Sequence, residues 1–391
     1  MPPKVVVLGA GYAGTSAVRA LEDELEGASL TWIADRDYHF VLHESHRLIR
    51  DPSVRDKLTV PVRDVKGRDT KFVPAEVTGV DTAERAIELA DGSRVDYDYL
   101  LVAVGSQTAF FGIDGLAEYA HTLKSLDDAL GVHEALQDAA AEATRGDPAQ
   151  VVVGGAGLSG IQSAGEIAAF GEERGVPVEV HLVEGLDSVF PPGDPAVQRR
   201  LHDLLVESGV HVHTGEFVGE VDADTVYVGE DTEFDYDVLL WTGGITGRDA
   251  VADADVEKDE RSRRLTVGAD FRTSDDRVFA IGDTALVDQG DDEVAPPTAV
   301  AAWDAGVAAG ENLARAVGGR PLREWTYEDK GTLVSVGDEA VAHDVTLPGG
   351  LPLPVTTFGG VPAEFLKKAA AARWLASVAG AGHAFSAWDA L

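Results

Sequence analysis

Two glycine strings carry the first recognisable chemistry of this 391-residue chain: Gly9-Ala10-Gly11-Tyr12-Ala13-Gly14 and Gly155-Ala156-Gly157-Leu158-Ser159-Gly160. Both read Gly-x-Gly-x-x-Gly. The first glycine permits a tight turn, the second lets the backbone approach a pyrophosphate, and the third lets helix and strand pack closely. Backbone amides at the start of the following helix then stabilise the phosphates. Such sites place an acidic residue about twenty positions on to bind ribose hydroxyls. Asp35 lies 21 residues after Gly14, and Glu184 lies 24 residues after Gly160. No arginine follows Glu184 within a few residues, so a 2′-phosphate has no partner there and NADH is favoured over NADPH. A third string, Val278-Phe279-Ala280-Ile281-Gly282-Asp283, is a strand ending in Gly-Asp. Beside two glycine loops, its carboxylate suits the ribityl hydroxyls or pyrophosphate of a flavin.

These residues need strands and helices to hold them. An apolar run at residues 5–8 meets the first glycine string, a helical pattern runs through Val18, Leu21 and Leu25, and a second strand covers 29–33. The same order recurs 146 residues later: a strand at 150–153, the second glycine string, a helix to about Phe170 and a strand at 178–183. Strand, glycine turn, helix and strand open a Rossmann unit. The expected fold is therefore α/β with two Rossmann-like dinucleotide-binding domains. Further strands are expected at 99–104, 238–241 and 278–281, with helices at 122–144, 298–317 and 363–379. A hairpin is expected at 218–233 and a charged surface crossing at 253–264.

Composition removes other classes. The chain carries 68 acidic and 32 basic residues, only 9 of them lysine, for a formal charge of −36. Such a surface repels phosphate backbones and excludes a basic nucleic-acid footprint. The absence of cysteine excludes disulfides, dithiol catalysis, iron–sulfur clusters and cysteine-ligated zinc. Self-repulsion of this size is screened in molar salt, where the Debye length falls to ~3 Å from ~10 Å at 0.1 M. The composition reads as adaptation to a salt-loaded cytoplasm, as in a halophilic archaeon. No signal peptide and no run of 18 apolar residues is evident, so a cytoplasmic protein is expected.

Together with the strings at 101–106 and Trp241-Thr242-Gly243-Gly244, the three motifs resemble the two-dinucleotide-binding-domain flavoproteins of the pyridine nucleotide-disulfide oxidoreductase superfamily. Within these the chain is most similar to the type II NADH dehydrogenases and their relative sulfide:quinone oxidoreductase. The likeness runs over roughly residues 4–320 and includes the strings at 37–39, 105–108 and 123–129. It implies an FAD domain at 1–120 and 265–325, an NADH domain inserted at 121–264, and a C-terminal segment at 326–391 for dimerisation or membrane contact. It also implies the reaction: NADH gives a hydride to flavin, which passes two electrons to a quinone without proton pumping. Relatives that use redox thiols are ruled out by the missing cysteine.

The resemblance assigns Gly9, Gly11, Gly14, Asp35, Gly105, Gly282, Asp283 and Thr298 to FAD. It assigns Gly155, Gly157, Gly160 and Glu184 to NADH, with Gln162 and Gly243 near the nicotinamide. The chain also departs from the family. The ribose-binding acid is displaced by one, with Ala34 in the usual place and Asp35 next to it. Gln162 replaces a glutamate. The two glutamines that line the family's quinone pocket correspond to Val300 and Asp304. Trp303 between them either lines an acceptor pocket or fills the core. The cluster His39, His43, Glu44 and His46 offers no three-ligand face for a metal and reads as loop packing.

In the last helix Phe365, Leu366, Ala369, Ala370, Trp374 and Val378 fall near one face, accompanied by Lys367, Lys368 and Arg373. This amphipathic, basic pattern suits an anionic bilayer surface, the protein body or a dimer partner. Two alternatives to a quinone reductase stand beside it: a soluble NADH:acceptor oxidoreductase with a non-quinone acceptor, and a flavin-binding redox sensor with little turnover.

Overall fold

The computed structural model describes residues 2–347 and 351–391. In chain order, the elements that position the sites begin with strand β1 (Lys4–Leu8), helix α1 (Tyr12–Glu24) and strands β2 (Ser29–Ala34), β3 (Lys71–Pro74) and β4 (Tyr99–Val102). Strand β5 (Ala149–Gly154), helix α2 (Leu158–Arg174) and strands β6 (Val178–Glu184), β7 (Val210–Thr214) and β8 (Val238–Trp241) follow. The last are β9 (Val278–Ala280), α3 (Ala299–Val317), β10 (Thr332–Val336), β11 (Glu339–His343), β12 (Thr357–Gly359) and α4 (Val361–Ala379).

The chain divides into two compact units. The first comprises Met1–Phe40, Thr59–Gln107 and Ile245–Glu328, and the second Val41–Leu58, Thr108–Gly244 and Asp329–Leu391. These divisions differ from the expected domains 1–120 plus 265–325, 121–264 and 326–391. The second unit starts earlier, takes Val41–Leu58 out of the first, and includes the C-terminal segment.

In the first unit the strands run in the order β9-β4-β1-β2-β3, all parallel, with Val5 opposite Leu30 and Tyr99. Val5, Val7 and Leu8 are fully buried, as a parallel strand covered on both faces requires. Helices α1 and α3 approach very closely. A Cβ at Gly306 would lie 2.5 Å from the Ala13 carbonyl oxygen, and one at Gly310 2.6 Å from that of Ala17. The alanine and glycine content of α3 is thus a packing requirement.

In the second unit the order is β7-β6-β5-β8, again parallel. Against it packs an antiparallel meander, Val218–Val221, Thr225–Val228 and Thr232–Asp235, where the sequence suggested a hairpin. Leu116, Val152, Val183, Val226 and Trp241 belong to one buried cluster there. The C-terminal strands β10, β11 and β12 form an antiparallel sheet, and Ala363 of α4 packs with Ala340 and Ala342 of β11.

The buried stripe of α4 is Ala363, Lys367, Ala371, Trp374, Leu375 and Val378, while Phe365 is 57% exposed. Of the expected apolar face Trp374 and Val378 are buried and Leu366 packs against the core of Ala340 and Ala342, but Phe365 is not part of the buried stripe and Lys367 is. Among the described residues no helix is long and apolar enough to cross a membrane.

Candidate functional site

Each glycine loop leaves the C-terminal end of a strand that lies between two parallel neighbours, the switch point at which open α/β sheets bind ligands. In the first unit Gly9 has φ +97°, a conformation suited to glycine, and a Cβ there would lie 2.2 Å from the Ala103 carbonyl oxygen. A Cβ at Gly14 would meet the Gly9 carbonyl oxygen at 2.0 Å. At Gly11, the N-cap of α1, a Cβ would find no atom within 4 Å, and no side chain caps the helix. The turn is thus shut on the protein side and open at its middle glycine, which fits a pyrophosphate.

Buried side chains brace the turn. Trp32 Nε1 donates to the Gly9 carbonyl oxygen at 2.8 Å, and His39 Nδ1 lies 2.9 Å from that of Ala10. Sequence reasoning missed both braces, and it treated His39 as one group with His43, Glu44 and His46. His39 belongs to the first unit and the other three to the second. Asp35 is solvent-facing at the end of β2, with Arg36 Nε at 3.9 Å.

Gly282 opens a short 3-10 turn after β9 with φ +70°, and Ser106 Oγ donates to Asp283 Oδ2 at 3.0 Å. Gly105 has φ +72°. Arg264, expected on an exposed crossing, is only 7% exposed; it donates to the backbone oxygens of Asp283 at 2.7 Å and Ala285 at 2.6 Å. It fixes the Gly-Asp turn from beneath, and only its place at the head of the apolar run 265–267 hinted at burial. Thr298 caps α3, its Oγ1 accepting from Ala301 N at 3.2 Å. Val300, Trp303 and Asp304 fall on one face of α3, Val300 exposed and the other two half-buried.

The second loop repeats the first closely. Gly155 has φ +91° and abuts Gly243, whose Cα would be 2.6 Å from an added Cβ. A Cβ at Gly160 would meet the Gly155 carbonyl oxygen at 1.8 Å, and one at Gly157 would meet nothing within 4 Å. The braces differ. Thr242 Oγ1 donates to the carbonyl oxygens of Gly154 at 3.1 Å and Gly155 at 2.9 Å. Glu184 accepts from Ala156 N at 2.8 Å and from Leu186 N at 3.0 Å, so this acid holds the loop itself. Both oxygens keep a further lone pair for hydroxyl donors.

Gln162 lies one turn into α2, 7% exposed, and its Oε1 accepts from Ser335 Oγ of β10 at 3.3 Å. Ser335 Oγ is also 3.2 Å from His46 Nε2. This opens a buried polar cluster that sequence reasoning did not find. Glu44 is fully buried with Lys367 Nζ at 2.6 Å, and His43, His46 and Arg47 at 3.5–3.6 Å. Burial alone would raise the Glu44 carboxyl, but Lys367, His46, His43 and Arg47 outweigh it and hold it below the usual carboxylate range. Burial is also the largest influence on His46, which is held well below its ordinary value and stays neutral. Glu166 of α2 pairs with Arg47 Nη1 at 2.6 Å and Arg50 Nε at 3.0 Å. No group of three potential ligands suited to a metal occurs among the described residues.

Comparison with known proteins accords with this architecture. The type II NADH:quinone oxidoreductase of Staphylococcus aureus is 28% identical, over 98% of this chain and 97% of its own length. That of Staphylococcus saprophyticus is 27% identical with the same coverage. The structure of NDH2 from Plasmodium falciparum in complex with NADH has a TM-score of 0.83 over 100% of this chain and 98% of that one, at 17% identity. The sulfide:quinone oxidoreductase from Aquifex aeolicus has a TM-score of 0.80 over 97% and 92%, at 20% identity. With no cysteine in the sequence, thiol chemistry is closed to this chain. The model of the pyridine nucleotide-disulphide oxidoreductase family matches residues 3–306, and the protein belongs to that family.

Proposed function

We propose that this chain is an FAD-dependent NADH dehydrogenase of the type II kind, taking a hydride from NADH and passing two electrons to a quinone without proton pumping. The observation that carries this reading is the pair of open glycine turns, each at the switch point of its own parallel sheet, in a chain with no cysteine. The relatives named type II NADH:quinone oxidoreductase, which align over nearly the whole chain, support it.

In this reading Gly9, Gly11, Gly14, Asp35, Gly105, Gly282, Asp283 and Thr298 hold FAD, and Gly155, Gly157, Gly160 and Glu184 hold NADH. Gly243 and Gln162 stand toward the nicotinamide end. The bound flavin supplies the two-electron chemistry. The protein's own contribution is positioning: backbone amides at two helix starts on the phosphates and carboxylates on the ribose hydroxyls. Val300, Trp303 and Asp304 are the acceptor-side residues. The absence of the family's two glutamines keeps a non-quinone acceptor as the second reading.

We also read the C-terminal helix as a peripheral contact with the cytoplasmic face of a membrane. Phe365 of α4 is 57% exposed, and Phe385, in the short helix Ala381–Ala387 that follows it, is 86% exposed. Lys367 is paired with Glu44, and Lys368 Nζ lies 3.2 Å from Glu364. With both lysines engaged, the contact is apolar in character, which suits a salt-loaded cytoplasm where electrostatic attraction is screened.

The test is spectroscopic. In molar salt, NADH should bleach the flavin absorbance of the purified protein and a menaquinone analogue should restore it. Bleaching without restoration would remove quinone as the acceptor. No bleaching would remove the whole reading.

A further inference from the structure

The surface beside Glu184 carries an apolar feature that none of the assigned roles uses. Phe217 is 66% exposed in a chain of formal charge −36. Its ring lies directly on Gly185, the residue after Glu184, where an added Cβ would be 2.2 Å from Phe217 Cδ1 and 2.3 Å from Cε1. Gly185 does not have the positive φ of a turn glycine, so its lack of a side chain serves the ring.

The ring is held in place from both sides. Gly215 has φ +90° and its N–H donates to the carbonyl oxygens of both Glu184 and Leu186 at 3.0 Å. Gly229 N donates to the Phe217 carbonyl oxygen at 3.0 Å. The loop after β7 is thereby bonded, backbone to backbone, onto the segment that carries the acid. Leu186, 50% exposed, extends the apolar surface.

We propose that Phe217 is the stacking platform for the adenine ring of NADH. The inference rests on the reading of Glu184 as the ribose-binding acid. In a dinucleotide the base is attached to the same ribose whose hydroxyls meet that acid. A flat apolar surface one residue beyond Glu184 therefore lies within reach of the purine. An aromatic ring, fixed beforehand and exposed on one side, offers a neutral contact beside the carboxylates of Glu184, Asp187 and Glu216, which would repel an anionic ligand. Stacking needs no cation, which matters in a protein this poor in lysine.

The test uses the flavin-loaded protein and two measurements. ADP-ribose, which has the adenine, ribose and pyrophosphate but no nicotinamide, is titrated calorimetrically. The ratio of kcat/KM for NADH to that for reduced nicotinamide mononucleotide, which has no adenosine, is then determined. Phe217→Ala should weaken ADP-ribose binding roughly 5- to 150-fold and lower the ratio by a similar factor, the range of base–aromatic stacking. Phe217→Tyr should restore both.

A ratio that does not change, or a loss in both substrates alike, would assign Phe217 to loop structure and overturn the inference. Wild-type protein that oxidises NADH with normal ADP-ribose affinity while Phe217→Ala binds equally well overturns only the stacking role. Wild-type protein that neither binds ADP-ribose nor oxidises NADH overturns the function and the inference together.

Discussion

The two glycine loops are nearly superimposable in their local demands, yet the helices behind them differ in support: both pack closely through glycine, and only the second adds a buried polar cluster. In both loops the first glycine has φ between +91° and +97°, the third presses on the carbonyl of the first, and the second opens onto space. One turn further on they part. Helix α1 lies against α3 through Ala13, Ala17, Gly306 and Gly310, a dry seam with no titratable side chain among those contacts. Helix α2 additionally presents Gln162 and Glu166 to a buried cluster of His46, Arg47, Arg50 and Ser335, next to the Glu44–Lys367 pair. The turn is the same because backbone geometry around a phosphate allows little else. The support is open to variation, since a helix can be held by close packing alone or by close packing with charge.

The largest expected effect breaks the polar support. Lys367→Met leaves Glu44 buried without its nearest cation, and removing one partner of a buried pair costs about 3–5 kcal/mol. Replacing both, as Glu44→Gln with Lys367→Met, should recover most of the loss because no uncompensated charge stays inside. Thermal unfolding of the three variants measures this. A Lys367→Met protein that melts with wild type would mean that α2 does not depend on the cluster, and the contrast between the units would fall.

A smaller effect separates the two acids. Glu184 accepts two backbone N–H bonds within its own loop, whereas Asp35 faces solvent beside Arg36. Glu184→Ala should therefore lower stability by about 1–2 kcal/mol as well as weaken ADP-ribose binding. Asp35→Ala should leave the melting temperature of the flavin-free protein unchanged and show only as faster flavin loss. Equal destabilisation by the two substitutions would contradict the different placement of the two carboxylates.

The contrast also explains how much could be read from the chain. The glycine turns, their strands and the acids at the strand ends were legible because each is a local demand with a fixed spacing. The supports were not. Lys367 and Glu44 are 323 residues apart, and nothing near either residue signals the other. A lysine is ordinarily assigned to the wet face of a helix, so the sequence pattern places Trp374 and Val378 on the buried stripe of α4 but includes Phe365 and leaves out Lys367. Of the cluster at 39–46, His43, Glu44 and His46 do meet, and only His39 stands apart, for a related reason. The chain passes from one unit to the other after Phe40, so neighbours in sequence belong to different cores. Gln162 was recognised as a departure, but its bond to Ser335 depends on a strand 173 residues away.

A pH dependence reads the polar support without a substitution, alongside His121, His181 and His213, which lie outside the cluster and are also held below their ordinary value by burial. His46 is 2% exposed, with Ser335 Oγ at 3.2 Å and Glu44 Oε2 at 3.6 Å. Burial, then Lys367, disfavours its protonation; Glu44 favours it, and Arg47 and His43 add to the opposition. His43 is held down to about 4, again chiefly by burial. An unfolded histidine titrates near 6.5, so below that pH the unfolded chain binds protons that the folded chain refuses. Stability must then fall with acidification, with a slope approaching ~1.4 kcal/mol per pH unit for each such histidine. Glu44 works in a lower window, since its depressed carboxyl contributes fully above about 4.5 and is lost only on further acidification. The histidines thus act from pH 6.5 downward, while Glu166, whose carboxyl burial raises against the opposing pull of Arg47 and Arg50, acts in the opposite sense because the folded chain takes up its proton first. Hydrogen exchange from about pH 6.5 to 5 should show α2 losing protection while α1, on its dry seam, keeps it. His46→Gln should remove the share of the slope that belongs to His46 and leave the shares of His43, His121, His181 and His213. Equal loss of protection in α1 and α2 would place the titrating groups elsewhere and remove the physical distinction between the two supports.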